Sequence, residues 1–458
     1  MSDPDLIPPR TLKGFRDLLP EAAIARETVV ATAVAVFRSY GFSPIDTPAL
    51  EYADVLLGKG GAETEKQMYR FEDGGGRDVA MRFDLTVPFA RFAAQHIGDL
   101  GTPFRRYHVG LVWRGENTQR GRYREFLQCD YDTIGTESVL ADIDTLLVTY
   151  DLFGALGFTR FTVRYNDRRV LNGLLERLGL ADHTVAVLRS LDKLHRIGAD
   201  RVGEELSLVP GAGDATVSAI LRLAGLTGST AEMLGALPEM VTGSATGEAG
   251  VAALGEIAQA MDDAGVAPGR VAIDTAIARG LDYYTGMVFE TFLDDLPDIG
   301  SCCSGGRYDD LASLYTSQRL SGVGGSLGVD RLLAALAELQ PSGGRRAAAP
   351  VLVTVFDTEG RGEAIALATG LRRAGIGAEV YPDDRKLAAQ LRYADRCGHQ
   401  LAVIAGPDER AAGTVQVKHL ASGTAATVPD DNVVATCLRL LAAPPAAPAP
   451  GSRRQADA

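Results

Sequence analysis

Two stretches that alternate between polar and apolar residues, 105-RRYHVGLVWRGE-116 and 122-RYREFLQCDYDTIG-135, flank the short loop NTQRG. Period-two alternation sends successive side chains to opposite faces, and a short glycine-containing loop folds the chain back on itself. A β-hairpin is expected here, and with it an antiparallel sheet. In the second strand Arg122, Arg124, Phe126, Gln128, Asp130 and Asp132 share one face, and Tyr123, Leu127, Cys129 and Tyr131 share the other. Arg114 and Glu116 share a face of the first strand. A sheet face this polar is either solvated or the floor of a polar ligand site, and alternation alone leaves both open.

The hairpin also opposes the charge of the chain. The 458 residues carry a formal net charge of -13, yet six arginines fall between Arg105 and Arg124. An acidic chain is unsuited to coating nucleic acid nonspecifically, while a shaped RNA held by local basic patches is compatible with it. The N-terminal MSDPDLIPPRTLKGFRDLLP places acids and prolines where a signal peptide has its apolar core. No apolar run is long enough for a membrane span. The five cysteines (129, 302, 303, 397 and 437) are odd in number and lack CxxC spacing, which argues against a disulfide framework. A cytosolic location is expected.

Helical periodicity runs over 22–40, followed by the extended 42-FSPIDTPAL-50, where two prolines disfavour helix. From 79 to 92 a short strand leads into a helix whose start is marked by Thr86 and Pro88. Helix is expected over 136–156 and strand in FTRFTVRYND, which ends at Asp167. A mainly helical insertion is expected over 168–265, strand over 283–292 and helix over 328–339. The stretch 340–350 is a linker by composition. Beyond it, apolar runs at 351–356, 376–381 and 401–406 alternate with helical segments, as in a small α/β domain ending near 443. The Pro- and Ala-rich tail, 444–458, is expected to be disordered.

Three further stretches carry candidate chemistry. In 279-RGLDYYTGMVFE-290 paired tyrosines sit beside Arg279 and Asp282, either to hold a polar aromatic ligand or simply to pack. In 301-SCCSGGRYDDL-311 the vicinal cysteines should point to opposite sides of a strand, and no histidine is near, so a zinc site is not expected. Gly305-Gly306 implies close backbone approach to a ligand or a neighbouring strand. In 322-GVGGSLGVDRLLAAL-336 Leu327 stands where a dinucleotide fingerprint needs its third glycine, so a small-residue strand leading into a helix that presents Arg331 is the better reading. The tetrapeptide 96-HIGD-99 lacks the final histidine of the class I synthetase sequence HIGH and is set aside.

The order of these stretches is more specific than any one of them. FSPIDTPALEY, the arginine–glutamate hairpin and the glycine-rich strand–helix ending in arginine resemble motifs 1, 2 and 3 of class II aminoacyl-tRNA synthetases. Within that class, 279-RGLDYYTGMVFE-290 and 304-SGGRYDDL-311 resemble the two signature peptides of the histidyl-tRNA synthetase family. The segments 82-RFDLTVPFARF-92 and 119-QRGRYREFLQCDYD-132 are similar to the same family. So are 384-DRKLAAQLRYADRCG-398 and 413-GTVQVK-418, which resemble its anticodon-binding domain.

The resemblance implies an α+β fold. An antiparallel catalytic sheet flanked by helices would span 1–167 and 266–339, interrupted by the insertion, with an α/β anticodon-binding domain over 351–443. It implies L-histidine, ATP with Mg2+ on its phosphates, histidine tRNA and a second copy of the chain as partners, with no dedicated metal site. Arg114 and Arg279 match the arginines on the α-phosphate. Glu116 matches the reader of the adenine amino group, and Phe126 and Arg331 match the pair that sandwiches adenine. Asp84, Thr86, Gln128, Asp132, Arg279, Tyr283, Tyr284 and Tyr308 match the histidine site. Gln119 and Arg120 fall in the loop that faces the tRNA. Two rivals share the fold: a synthetase-like regulatory subunit of ATP phosphoribosyltransferase, and a non-catalytic RNA-sensing module.

Overall fold

The computed structural model describes residues 7–58, 62–277, 283–339, 346–383 and 385–442. They form a larger unit, Met1–Asp17 with Arg26–Gln340, and a smaller one, Leu18–Ala25 with Pro341–Ala458.

Eleven strands of the larger unit are β1 (Ser43–Pro44), β2 (Leu50–Tyr52), β3 (Arg70–Glu72), β4 (Asp78–Met81), β5 (Phe104–Trp113), β6 (Glu125–Ile134), β7 (Phe161–Asp167), β8 (Val271–Ile273), β9 (Met287–Leu293), β10 (Cys303–Tyr308) and β11 (Gly322–Gly328). Eight of them make one sheet in the order β1-β5-β6-β11-β10-β9-β7-β8, antiparallel throughout its middle and parallel only at its two ends. The expected hairpin is its longest pair, with Arg106 opposite Asp132 and Gly110 opposite Gln128. A three-stranded sheet, β2-β4-β3, lies beside the motif 1 stretch.

Alternation along β6 divides its side chains as the sequence predicts. Cys129 and Tyr131 are buried in the core with Phe37 and Phe42, while Phe126, Gln128 and Asp130 line a cavity on the other face. The glycines of β10 and β11 pair with one another, Gly305 opposite Gly325 and Gly306 opposite Gly324. A Cβ on Gly325 would come within 2.5–2.8 Å of Tyr131 and Phe289, so these two strands tolerate nothing larger. Gly305 also borders the cavity.

The segment from Arg168 to Asp263 is helical, as expected, with two of its helices at Arg168–Arg177 and Ala245–Asp263. Val170, Leu174, Leu254 and Ile257 from these two belong to the same apolar core as Val163 and Tyr165 of β7. Glycine makes their approach possible, since a Cβ on Gly250 would meet the Val170 backbone nitrogen at 2.9 Å.

The smaller unit has strands β12 (Val351–Val353), β13 (Ala378–Val380), β14 (Leu401–Ile404), β15 (Thr414–His419) and β16 (Ala425–Pro429) in the order β13-β12-β14-β15-β16. Its first three strands are parallel and joined through helices Arg361–Arg373 and Leu387–Cys397, and the rest are antiparallel. Val351, Val353, Leu401 and Val403, from two neighbouring parallel strands, are fully buried.

Candidate active site

The polar face of the hairpin is the floor of a cavity of about 340 Å³, a size suited to small-molecule sites. Its character changes along β6 and β11. Phe126, Gln128 and Asp130 stand about 7 Å apart in turn, and across the ladder Gly328 faces Gln128 and Ser326 faces Asp130. Of the wall residues, Arg114 lies by Phe126, and Arg122, paired with Glu116 at 3.8 Å, lies near Arg331. Thr86, Tyr283, Tyr284 and Ser326 lie by Asp84 and Asp130. One cavity thus has an arginine-rich end and an acidic, tyrosine-lined end.

At the arginine end, Arg114 donates Nε to the Phe83 carbonyl at 3.0 Å. Its guanidinium lies 4.4 Å from the Phe83 ring centre and 5.1 Å from that of Phe126. Contact with two aromatic rings and a carbonyl restricts where the fork can lie. The cation over Phe126 is therefore Arg114, while Arg331 lines the same cavity and donates Nη1 to the Ser301 carbonyl. Burial lowers the Arg331 pKa, and the nearby Arg122 adds to that.

At the other end, Asp84 Oδ1 accepts the backbone N–H groups of Thr86 and Val87, at 3.2 and 2.9 Å, at the start of helix Thr86–Leu100. Burial nevertheless raises its pKa, opposed by those N–H groups and by Arg114. Gln128 donates Nε2 to Ser326 Oγ at 2.8 Å, which leaves its Oε1 buried without a protein partner. Beside the cavity that oxygen is a ready acceptor for a cationic or N–H-bearing ligand. The rings of Tyr283 and Tyr284 meet edge to face at 4.9 Å just before β9 begins.

Asp132 and Tyr308 are placed differently from their neighbours. The Tyr308 hydroxyl donates to Asp132 Oδ1 at 2.6 Å, and Arg106 pairs with Asp132 Oδ2 at 2.7 Å. These residues stand behind the cavity wall and are not among those that line it. Arg120 pairs with Glu338 at 2.7 Å, and Gln119 bridges to Arg122 across the loop. Neither is part of the wall. Arg279 and Asp282 lie outside the described residues.

Sequence reasoning passed over three contributors. Asp130 borders the cavity; Ser326 orients Gln128; Arg106, fully buried, is the counter-ion of Asp132. Period-two alternation had placed Asp130 on the correct face, and that was the available signal. Both vicinal cysteines are buried in the same apolar core; Cys302 also borders the cavity, and Cys303 lies against Tyr131.

Burial pushes the Asp130 carboxyl up to about 7, with Asp132 adding to the rise and Arg106 opposing it. A carboxyl raised in the native state keeps its proton where the unfolded chain has lost it, so its contribution to stability falls as pH rises. Asp130→Asn should therefore gain stability relative to the native chain between about pH 4 and 7, by a total on the order of a few kcal/mol, and hold that gain above. Paired thermal melts across this range test the point. A difference that does not vary with pH would refute it.

The chain matches the family described as histidyl-tRNA synthetase over residues 14–332 and the anticodon binding domain over residues 350–440. It is 56% identical over 417 residues to a histidine–tRNA ligase of Rhodopirellula baltica, covering 91% of this chain and 94% of that protein. A crystal structure of histidyl-tRNA synthetase from Nostoc sp. superposes with a TM-score of 0.86 at 32% identity, covering 95% of this chain and 100% of that one. A Bacillus halodurans structure described as an ATP phosphoribosyltransferase regulatory subunit/histidyl-tRNA synthetase superposes with a TM-score of 0.71 at 24% identity, covering 84% and 96%, a likeness of fold alone.

Proposed function

The chain belongs to the histidyl-tRNA synthetase family, and from that premise we propose that its two-ended cavity is where histidine and ATP react. The protein is a histidine–tRNA ligase. The histidine carboxylate attacks the α-phosphorus of ATP, pyrophosphate leaves, and a hydroxyl of the tRNA 3′-terminal ribose then takes the histidyl group, releasing AMP.

One observation supports this placement of the chemistry most strongly: three arginines, Arg114, Arg122 and Arg331, line one cavity together with Asp84, Asp130, Tyr283 and Tyr284. A nucleotide needs cations around its phosphates, and an α-amino acid needs acceptors around its ammonium. The reacting atoms must meet between the two ends. In this reading Arg114 and Arg279 hold the α-phosphate, Glu116 reads adenine, and Phe126 and Arg331 bound its ring. Asp84, Thr86 and the Gln128 oxygen receive the ammonium. Tyr283 and Tyr284 enclose the imidazole, with Asp132 and Tyr308 as its supporting layer. Donors placed around developing charge stabilise the transition state more than the ground state.

Among the described residues no group of three or more His, Cys, Asp or Glu is placed to hold a metal. Magnesium would enter with the nucleotide on phosphate oxygens and neutralise the pyrophosphate as it leaves. Gln119 and Arg120, exposed in the loop, are placed in this reading towards the tRNA acceptor end.

A homodimer through the motif 1 region is also proposed. Leu50, Tyr52 and Phe71 are 44%, 54% and 46% exposed on the small sheet, an apolar surface of the kind a second copy would cover. The protein would act in the cytoplasm; among the described residues no helix is long and apolar enough to cross a membrane.

Histidine-dependent ATP–pyrophosphate exchange tests the function. Exchange that requires histidine is the expected result, and purified protein with none would favour the regulatory-subunit reading.

A further inference from the structure

The N-terminal segment carries KGFRD, which the catalytic reading leaves without a role. Gly14 accepts the Arg124 backbone N–H at 2.9 Å, and Lys13 accepts from Arg124 Nη1 at 3.5 Å. Gly14 has φ of 88°, and a Cβ there would lie 2.7 Å from carbons of the Arg124 side chain, so only glycine allows this approach. Phe15 meets Tyr69 edge to face at 6.2 Å. Arg16 then places its guanidinium 3.6 Å from the centre of the Tyr123 ring and pairs with Asp330.

The two partners of Arg16 belong to different motifs. Tyr123 borders the cavity at the end of the arginine-rich loop. Asp330 is buried, immediately precedes Arg331, and accepts the Leu127 N–H at 2.8 Å, one residue from Phe126. Asp330 therefore sets the helix carrying Arg331 against the strand carrying Phe126. Its buried carboxylate needs a cation, and Arg16 supplies one while its flat face stacks on Tyr123.

We infer that Arg16 is a positioning residue for the nucleotide end of the site, a clip from the N-terminal segment that joins the loop after Arg114 to the helix start at Arg331. This rests on the assignment of that end to ATP. Arg16 touches neither substrate. Its loss loosens the two walls between which adenine lies and leaves the Asp84–Asp130 end intact.

Initial rates of exchange and calorimetric binding of a non-hydrolysable ATP analogue, in the full chain, test the inference. Arg16→Ala should raise the ATP KM and the analogue Kd about tenfold, leave the histidine KM within about twofold, and regain near-native kcat at saturating ATP. Arg16→Lys, which keeps the charge on Asp330 but loses the planar stack, should fall between. Unchanged ATP KM in folded Arg16→Ala, or equal damage to both KM values and kcat, would overturn the clip. Weakened analogue binding in Arg16→Ala, with no histidine-dependent exchange by the native protein, would instead overturn the ligase reading and support the role of Arg16.

Discussion

Arg114→Ala is expected to lower histidine-dependent exchange by about two to three orders of magnitude, with little change in melting temperature. The guanidinium contacts two aromatic rings and is tied to one backbone carbonyl, so its position is restricted before any ligand arrives. Such preorganisation makes a cation worth more to the pentavalent transition state than to bound ATP, because no reorganisation accompanies the growth of charge. The loss should therefore appear mainly in kcat. Stability changes little, since the residue gives up one hydrogen bond and some ring contact at a cavity edge, on the order of 1–2 kcal/mol. Arg114→Lys should recover only part of the rate, because an ammonium keeps the charge without the planar fork. Single-turnover adenylate formation separates the chemical step from product release. A folded Arg114→Ala protein within tenfold of the native rate would remove Arg114 from the mechanism.

The part of this site that sequence could reveal is the part that depends on local period. Alternation placed Phe126, Gln128, Asp130 and Asp132 on one face of β6, and three of them border the cavity. The glycines of 322–328 announced close approach, and β10 provides it. What stayed hidden depends on register between strands far apart in the chain. Ser326 orients Gln128 only because β11 pairs with β6 so that Ser326 faces Asp130, and nothing within either segment encodes that pairing. The same reason explains why Asp132 was legible as polar while its enclosure by Tyr308 and Arg106 was not.

Arg16 and Arg106 were missed through a shared assumption. In a sequence with 46 lysines and arginines, each arginine reads by default as solvated. Their roles follow from buried carboxylates contributed by other elements. Tyr283 and Tyr284 offered a different difficulty: a strand pattern over 283–292 made packing and ligand contact look alike. The strand begins only at Met287, which leaves both tyrosines in the preceding turn, where they border the cavity.

Arg106→Met should be the most destabilising single change near the site, at about 3–5 kcal/mol. Arg106 is fully buried, pairs with Asp132 at 2.7 Å, donates Nη2 to the Leu85 carbonyl at 3.2 Å and lies 4.4 Å from the Phe89 ring centre. It also holds down the pKa values of Asp84, Asp130 and Asp132, each of which burial pushes up. Methionine replaces the aliphatic stem as far as Nε but leaves three neighbouring buried carboxyls without that cation. Their pKa values must then rise further above those of the unfolded chain, so the variant binds more protons folded than unfolded. By linkage, its deficit relative to the native protein should shrink as pH falls from 8 to 5. Asp132→Asn should recover part of the loss when combined with Arg106→Met, because it removes one of the charges Arg106 balances, and the two changes should be markedly non-additive. Denaturant melts of the single and double variants at several pH values measure each of these effects. A pH-independent deficit, or full additivity, would mean that Arg106 contributes chiefly by filling space rather than by neutralising the acids at the Asp84–Asp130 end of the cavity.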